Sequence, residues 1–163
     1  MDRLWAPWRM GYIKSAKDEK ECIFCAAANA QDLRSRYVLL KGKLSFIIMN
    51  LYPYNNGHLM VSPIRHTASL TDLTDEELLE MMRHVKLSVK VIKQSLNPDG
   101  FNVGLNLGRV AGAGIEDHLH VHVVPRWRGD TNFMTVISET RVLPETIDQS
   151  YEKLLNAIRS SDG

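Results

Sequence analysis

Three histidines alternate with apolar residues in the segment HLHVHVVPRW, residues 118 to 127. Alternation with a period of two is typical of a β-strand whose two faces differ. One face of the predicted strand carries three imidazoles, from His118, His120 and His122. The opposite face is apolar throughout, with Leu119, Val121 and Val123. Such a row of histidines is a solvated face, a metal site or a catalytic centre.

These three interpretations of the histidine row differ in their chemistry. Histidine is rare enough that strict alternation argues against a merely solvated face. Two histidines at i and i+2 can reach one zinc ion if a further ligand comes from elsewhere. A neutral imidazole is also a nucleophile toward phosphorus, because its pKa of roughly 6.5 leaves a lone pair at neutral pH. A neighbouring imidazolium can then stabilise phosphate oxygens or protonate a leaving group.

A glycine-rich segment, GLNLGRVAGAG at residues 104 to 114, comes shortly before the histidines. Glycine lets backbone N–H groups approach a phosphate closely, although ordinary turns need glycine as well. Because this segment adjoins the histidine row, it favours a phosphate-containing ligand over the other interpretations.

The two cysteines form a Cys-x-x-Cys motif, CIFC, at Cys22 and Cys25. The motif alone is compatible with zinc binding and with redox chemistry. A redox pair usually begins a helix in a βαβ setting, which this sequence lacks. A closed tetrahedral zinc site needs two more ligands, for which His66 and His118 are candidates. The alternative is a pair of ordinary buried thiols.

Short strands and two helices are predicted to position these residues. The strands span 37–40, 46–49, 58–62, 101–106 and 118–124. Thr74 and Glu77 fit a capping box at the start of a long helix that ends near Asn97. Its predicted apolar face consists of Leu78, Met82, Val85, Val89, Ile92 and Leu96. With a C-terminal helix over 147–158, this order favours an antiparallel α+β domain over a doubly wound parallel sheet.

Two further histidines receive ordinary structural interpretations. His84 lies beside the predicted apolar face of the long helix and is expected to be solvated. His58 is expected to be a hydrogen-bonded core residue behind the histidine strand, in preference to a direct ligand contact.

Size and charge narrow the class of protein. The chain has 163 residues and is predicted to form a single domain, with residues 1–13 as a tryptophan-rich arm that packs on the body or on a partner. A net charge of +1 argues against wrapping of nucleic acid. No apolar run approaches the about 18 residues of a membrane span, and because the first residues include Asp2 and no apolar core, we expect no signal peptide there. We therefore expect a cytoplasmic protein with reduced thiols.

The segment HLHVHVV matches the His-φ-His-φ-His-φ-φ signature of the histidine triad (HIT) superfamily, where φ is apolar. The segment NGHLMVSPIRH, residues 56 to 66, is similar to a second motif of that superfamily. Together with GFNVGLNLG and the tryptophan-rich arm, these motifs resemble the bacterial diadenosine tetraphosphate phosphorylase-like branch over most of the chain. The resemblance implies the HIT fold, an antiparallel sheet with one long helix and a C-terminal helix, and a homodimer.

The resemblance also implies a reaction, the cleavage of dinucleoside polyphosphates through a nucleotidyl-histidine. His120 would attack an α-phosphate, and water or inorganic phosphate would release the nucleotide. The carbonyl of His118 would orient the His120 ring, and His122 would bind phosphate and assist the leaving group. No catalytic metal is required for these steps. The remaining substrate-binding positions implied are Asn50 at the ribose, and Asn106, Gly112, Ala113 and Gly114 at the phosphates.

Relatives of this kind further imply a structural zinc ion bound by Cys22, Cys25, His66 and His118. One departure concerns the loop before the histidines, where many members carry a hydroxyl residue and this chain has Ala113-Gly114-Ile115. The missing hydroxyl counts against a nucleoside phosphoramidate or acyl-adenylate hydrolase of the same fold, which is the first alternative. A nucleotide-binding module without turnover is the second.

Overall fold

The computed structural model describes residues 21–130 and 143–161. In this part of the chain, five strands form one antiparallel sheet in the order β1-β2-β3-β5-β4. The strands are β1 (Val38–Lys41), β2 (Ser45–Met49), β3 (Leu59–Pro63), β4 (Gly100–Leu105) and β5 (Val121–Arg126). The α-helices are α1 (Ile23–Ala28), α2 (Asp75–Leu96) and α3 (Ile147–Ser161). The predicted α+β architecture is confirmed.

Apolar side chains pack on both faces of the sheet. Helices α2 and α3 lie on one face, where strand residues such as Ile47, Val61 and Val123 are fully buried. Helix α1 covers the other face with a smaller core made of Phe24, Ala27, Ala28, Val38, Phe46, Ile48 and Met60. Because strand residues alternate between faces, neighbours such as Ile47 and Ile48 contribute to different cores.

Helix α2 begins at the predicted capping box, because Thr74 accepts a hydrogen bond from the Glu77 N–H and Glu77 accepts one from the Thr74 N–H. The predicted buried face is wrong at Met82, which is 57% exposed. The observed face places Met81 in the core instead and includes polar residues. Each polar side chain is hydrogen-bonded, so its burial is tolerated; Ser88 Oγ, for example, donates to the His84 carbonyl at 2.8 Å.

His84 is buried, and the prediction that it is solvated is therefore wrong. Its Nδ1 lies 2.7 Å from Ser45 Oγ, at the turn between β1 and β2. Glu80 fixes the same turn, since its Oε1 accepts hydrogen bonds from the Leu44 and Ser45 N–H groups at 2.8 Å each. Gly42 lets the turn approach this closely, because a Cβ there would collide with Glu80 Oε1 and lie 2.7 Å from His84 Cε1.

Strand β5 begins at Val121, three residues later than predicted. Before it, the Leu119 N–H donates to the Thr67 carbonyl at 2.7 Å, and Ser62 Oγ donates to the Leu119 carbonyl at 2.9 Å. Residues 118–120 are therefore hydrogen-bonded to the end of β3 and to the loop that follows it, outside the regular ladder between β3 and β5. The predicted alternation still holds, since Leu119 faces the core below α2 while His118 and His120 face α1.

Within residues 21–130 and 143–161, no helix combines the length and apolarity needed to cross a membrane. The tryptophan-rich arm lies outside the described residues, so its packing stays a prediction, as does the single domain over 1–163.

Candidate active site and metal cluster

The His120 imidazole is held in one tautomer. Its Nδ1 lies 2.8 Å from the His118 carbonyl oxygen. A carbonyl accepts hydrogen bonds only, so Nδ1 carries the proton and Nε2 carries the lone pair. The residue is buried, with 7% of its surface exposed. The segment 118–120 thus presents an imidazole nitrogen whose lone pair is free, which is the form of histidine that can act as a nucleophile.

Burial also favours the uncharged form of the His120 ring. Burial lowers the pKa of His120, and the hydrogen bond to the His118 carbonyl only partly offsets this by favouring the protonated form. At neutral pH the ring is therefore uncharged, which is the form that can attack phosphorus.

His122 lies on the same face as His120, with 4.8 Å between ring centroids and the rings nearly perpendicular. The Nδ1 of His122 is 3.0 Å from Nε2 of His58. The Tyr54 N–H donates to His58 Nδ1 at 3.1 Å, so Nδ1 of His58 is an acceptor and its Nε2 carries the proton. His58 therefore donates to His122, and the proton of a neutral His122 is on Nε2.

His58 is fully buried, as the sequence predicts for a hydrogen-bonded core histidine. Burial, followed by the charges of His122 and His120, lowers the pKa of His58 to about 3. The ring stays neutral at physiological pH, so its Nε2–H remains available as a donor to a neutral His122.

Asn50 lies next to this histidine pair. Its Oδ1 accepts a hydrogen bond from the Tyr52 N–H at 2.9 Å, which orients Nδ2 toward His58 Nδ1 at 3.3 Å. Asn50 thus supports the acceptor side of His58. A contact between Asn50 and ribose stays a prediction.

The glycine-rich loop begins where β4 ends. The pairing of Leu105 with Val121 brings the next residue, Asn106, level with His120. Gly112 has a φ of +94°, and a Cβ there would lie 3.7 Å from Asn106 Nδ2. Ala113, next along the loop, is buried. The loop therefore begins at the end of the sheet where His120 lies.

The two cysteines lie close to His66 and His118, next to His120. The Cys22 Sγ lies 3.3 Å from His118 Nδ1, and the Cys25 Sγ lies 3.3 Å from His66 Nδ1. All four ligand atoms are within 4.8 Å of one another. A tetrahedral zinc ion, with bonds of about 2.3 Å to sulfur and about 2.0 Å to nitrogen, separates its ligand atoms by roughly 3.5 Å. The four residues therefore fit a zinc ion.

The orientation of His118 agrees with a ligand role. Its Nε2 lies 2.9 Å from the Pro63 carbonyl oxygen, so Nε2 carries the proton and Nδ1 turns its lone pair toward the sulfurs. Burial, followed by the Cys22 side chain, raises the pKa of Cys25 to about 11. A metal ion that binds here must therefore displace the thiol proton.

Two residues near the site were not singled out from the sequence. Phe24 lies between the cysteines and contacts both His118 and His120. Arg65 precedes the His66 ligand, and its Nε and Nη2 donate to the Glu77 carboxylate at 2.9 and 2.8 Å. A weak sequence signal exists for Arg65, because it lies in the NGHLMVSPIRH motif. No sequence pattern connects Phe24 to His120, which is far away along the chain.

The HIT domain family model matches residues 34–129. The chain belongs to the HIT domain family. This match covers the histidine row, the glycine-rich loop and the His58 motif, so the predicted superfamily is confirmed. The chain is 44% identical over 155 residues to the AP-4-A phosphorylase of Mycobacterium tuberculosis. The aligned region covers 90% of this chain and 79% of that relative.

Solved structures of HIT proteins share the fold. A Zn-bound histidine triad family protein from Mycobacterium smegmatis superposes with a TM-score of 0.70 at 29% identity, covering 87% of this chain and 96% of the other. A hypothetical histidine triad nucleotide-binding protein from Sulfolobus tokodaii gives a TM-score of 0.66 at 31% identity, covering 86% and 91%. The predicted HIT fold is therefore confirmed.

Proposed function

We propose that this HIT protein is an enzyme that cleaves dinucleoside polyphosphates by transferring a nucleotidyl group to His120. The observation that carries the proposal is the 2.8 Å hydrogen bond between His120 Nδ1 and the His118 carbonyl, which keeps the Nε2 lone pair for attack. The 44% identity to an AP-4-A phosphorylase supports a substrate of this class, such as diadenosine tetraphosphate.

In the first step, Nε2 of His120 attacks the α-phosphorus and an N–P bond forms. The P–O bond to the rest of the polyphosphate breaks, so diadenosine tetraphosphate gives adenylyl-His120 and ATP. The Nε2–H of His122 donates to the oxygen of the leaving group as negative charge develops there. The His118 carbonyl stabilises the positive charge that the His120 ring acquires.

In the second step, an oxygen nucleophile attacks the same phosphorus and the N–P bond breaks. Inorganic phosphate releases ADP, and water releases AMP. We favour phosphate as the acceptor because of the similarity to a phosphorylase. Because Ala113-Gly114-Ile115 contains no hydroxyl, His122 is the residue that assists the leaving group in this proposal. The missing hydroxyl also distinguishes the proposed enzyme from a phosphoramidate hydrolase of the same fold.

The substrate-binding residues are assigned by their position. In this proposal the phosphates are bound by Asn106 and by the backbone at Gly112, Ala113 and Gly114. The support is that Asn106 is level with His120 and that a Cβ on Gly112 would lie 3.7 Å from Asn106 Nδ2. Asn50 lies next to His58 and, in this proposal, contacts the ribose.

A zinc ion, in this proposal, is held by Cys22, Cys25, His66 and His118. Bound there, it supplies a structural cross-link between α1, the loop after β3 and the segment before β5. The support is the mutual distance of the four ligand atoms, within 4.8 Å. His118 binds it through Nδ1, and its backbone carbonyl remains available to His120.

The partner in this proposal is a second copy of the chain, bound at the β4 edge of the sheet. β4 pairs with β5 on one side and lies at the end of the strand order. Its central residues Asn102, Val103 and Gly104 are exposed. An edge of this kind presents backbone donors and acceptors to another strand, and a symmetric dimer satisfies both.

Product analysis with diadenosine tetraphosphate tests the proposed reaction, with and without inorganic phosphate, for the wild type and His120→Ala. ADP plus ATP that form only with phosphate identify a phosphorylase, whereas AMP plus ATP in either buffer identify a hydrolase. Equal turnover by His120→Ala would contradict the mechanism. Turnover of a phosphoramidate alone, or nucleotide binding without turnover, would instead support the two alternatives.

A further inference from the structure

Phe24 connects the cysteine pair to the proposed nucleophile. It lies between Cys22 and Cys25 in the CIFC segment and is fully buried. Its ring centroid is 4.8 Å from that of His120, with 31° between the planes, and 5.2 Å from that of His118. One aromatic side chain therefore contacts both a proposed metal ligand and the proposed nucleophile.

Two contacts of the His120 side chain restrict different rotations of its ring. The Phe24 ring is tilted by 31° to the imidazole and packs over it, and this contact restricts the plane in which the imidazole lies. A rotation of the imidazole by half a turn about its Cβ–Cγ bond would keep the same plane but exchange the positions of Nδ1 and Cδ2, and the His118 carbonyl opposes this flip by accepting from the Nδ1–H. Phe24 thus restricts the plane of the ring, and the carbonyl holds Nδ1 so that Nε2 stays on the side proposed for the substrate.

The position of Phe24 depends on a short helix. α1 has six residues, and a helix of this length is not stable by itself. Ala27 and Ala28 pack on the sheet beside Phe46, which anchors the C-terminal half. At the other end, Cys22 is the N-cap and makes no side-chain capping hydrogen bond. The two sulfurs, bound through a metal ion to His66 and His118, would anchor that end.

On the basis of the function proposed above, we propose that Phe24 is a positioning residue for His120 and that metal binding by Cys22 and Cys25 sets its position. The metal ion itself does not take part in the reaction. It keeps the CIFC segment against residues 118–120, and Phe24 transmits this restraint to the nucleophile. Loss of either the aromatic ring or the metal should release the His120 ring while the phosphate-binding loop stays in place.

The variant Phe24→Leu tests the first part, with Phe46→Leu as the matched control. Phe46 is equally buried in the same small core and contacts Phe24. We expect Phe24→Leu to lower kcat about 10-fold to 100-fold with KM changed less than about twofold, because the nucleophile is misplaced while binding is retained. Phe46→Leu should keep kcat within about twofold of the wild type at a similar loss of thermal stability. Equal losses of kcat in the two variants would overturn the proposal.

Side-chain ¹H–¹⁵N NMR of His120 gives a second readout that does not require turnover. The hydrogen-bonded Nδ1–H should give a slowly exchanging signal in the zinc-loaded wild type and in Phe46→Leu. The signal should be lost in Phe24→Leu and, if that variant does not fold, in the milder Phe24→Met. Persistence of the signal in a folded Phe24 variant would overturn the positioning role.

Metal removal tests the second part. Treatment of the wild type with a chelator should abolish the same His120 signal, and added ZnCl₂ should restore it. Retention of the signal in protein shown by metal analysis to be zinc-free would overturn the dependence on metal. The NMR readout remains decisive if the wild type does not cleave diadenosine tetraphosphate. If it does cleave this substrate through His120 and Phe24→Leu behaves like Phe46→Leu, the positioning proposal alone fails.

Discussion

The Nε2 of His58 lies 3.0 Å from Nδ1 of His122, and the direction of this hydrogen bond is determined by the contact that His58 makes through its other ring nitrogen. The Tyr54 N–H occupies the Nδ1 acceptor of His58, so the proton of His58 is on Nε2. The proton of a neutral His122 is then on its own Nε2. A buried histidine without any proposed substrate contact thus determines which tautomer His122 presents.

Substitution of His58 should therefore lower the rate of the chemical step. His58→Leu removes the donor to His122, and we expect kcat for diadenosine tetraphosphate to fall about 100-fold. His58→Gln keeps an amide N–H that can donate to His122 and should retain more activity than the leucine variant. Steady-state kinetics of both variants check this, and equal activities would contradict a role in orienting His122. Because the pKa of His58 is about 3, its titration should not appear in the wild-type pH–rate profile between pH 5 and 8.

The zinc proposal predicts that loss of one ligand impairs metal binding. Cys25→Ser and His66→Ala should each purify with much less than one zinc ion per chain, and chelation of the wild type should lower its Tm by several degrees. Metal analysis of dialysed protein and thermal melts measure these effects. His84→Gln is the control, since His84 is buried outside the cluster, and it should retain full zinc content. Unchanged zinc content in the ligand variants would contradict the assignment.

The Arg65–Glu77 pair should make stability depend on pH in the acid range. The hydrogen bonds from Arg65 are the main reason that the pKa of Glu77 is lowered. A carboxyl with a lowered pKa in the folded state stabilises the protein fully above its unfolded pKa of about 4.3, and this stabilisation is lost as the pH falls through the folded pKa. Glu77→Gln should therefore lower Tm by a few degrees at pH 7, with a smaller difference below pH 4. A difference in Tm that stays constant between pH 3 and pH 7 would contradict this role of the pair.

The dimer proposal predicts that a charge on the β4 edge separates the subunits. Val103 is 47% exposed in the middle of β4, and Val103→Lys should convert a dimer into a monomer, because the lysine would be buried without a partner at the interface. Val110→Lys provides the control, since Val110 is fully exposed in the loop beyond β4. Light scattering after size-exclusion chromatography distinguishes the two states. A monomeric wild type would contradict the proposal directly.

Patterns within one segment predicted much of this structure. The capping box located the start of α2, and the alternation of histidines with apolar residues correctly separated the two faces of the segment before β5. The burial of His84 was missed because periodicity weighs apolar residues only, while this histidine is buried through a contact with Ser45 on a distant turn. The contact of Phe24 with His120 was missed because it also depends on packing between distant segments. It joins residues almost a hundred positions apart, and packing between such segments has no local sequence signal.

Adenylylated His120 can be detected by mass spectrometry of the protein quenched during turnover of diadenosine tetraphosphate. We expect a population of the protein that carries one adenylyl group on His120, and this population should disappear on addition of inorganic phosphate as ADP forms. His120→Ala should not accumulate it, whereas Phe46→Leu should. Cleavage of the substrate by the wild type with no adenylylated protein under any quench condition, or with the group on another residue, would contradict nucleotidyl transfer to His120.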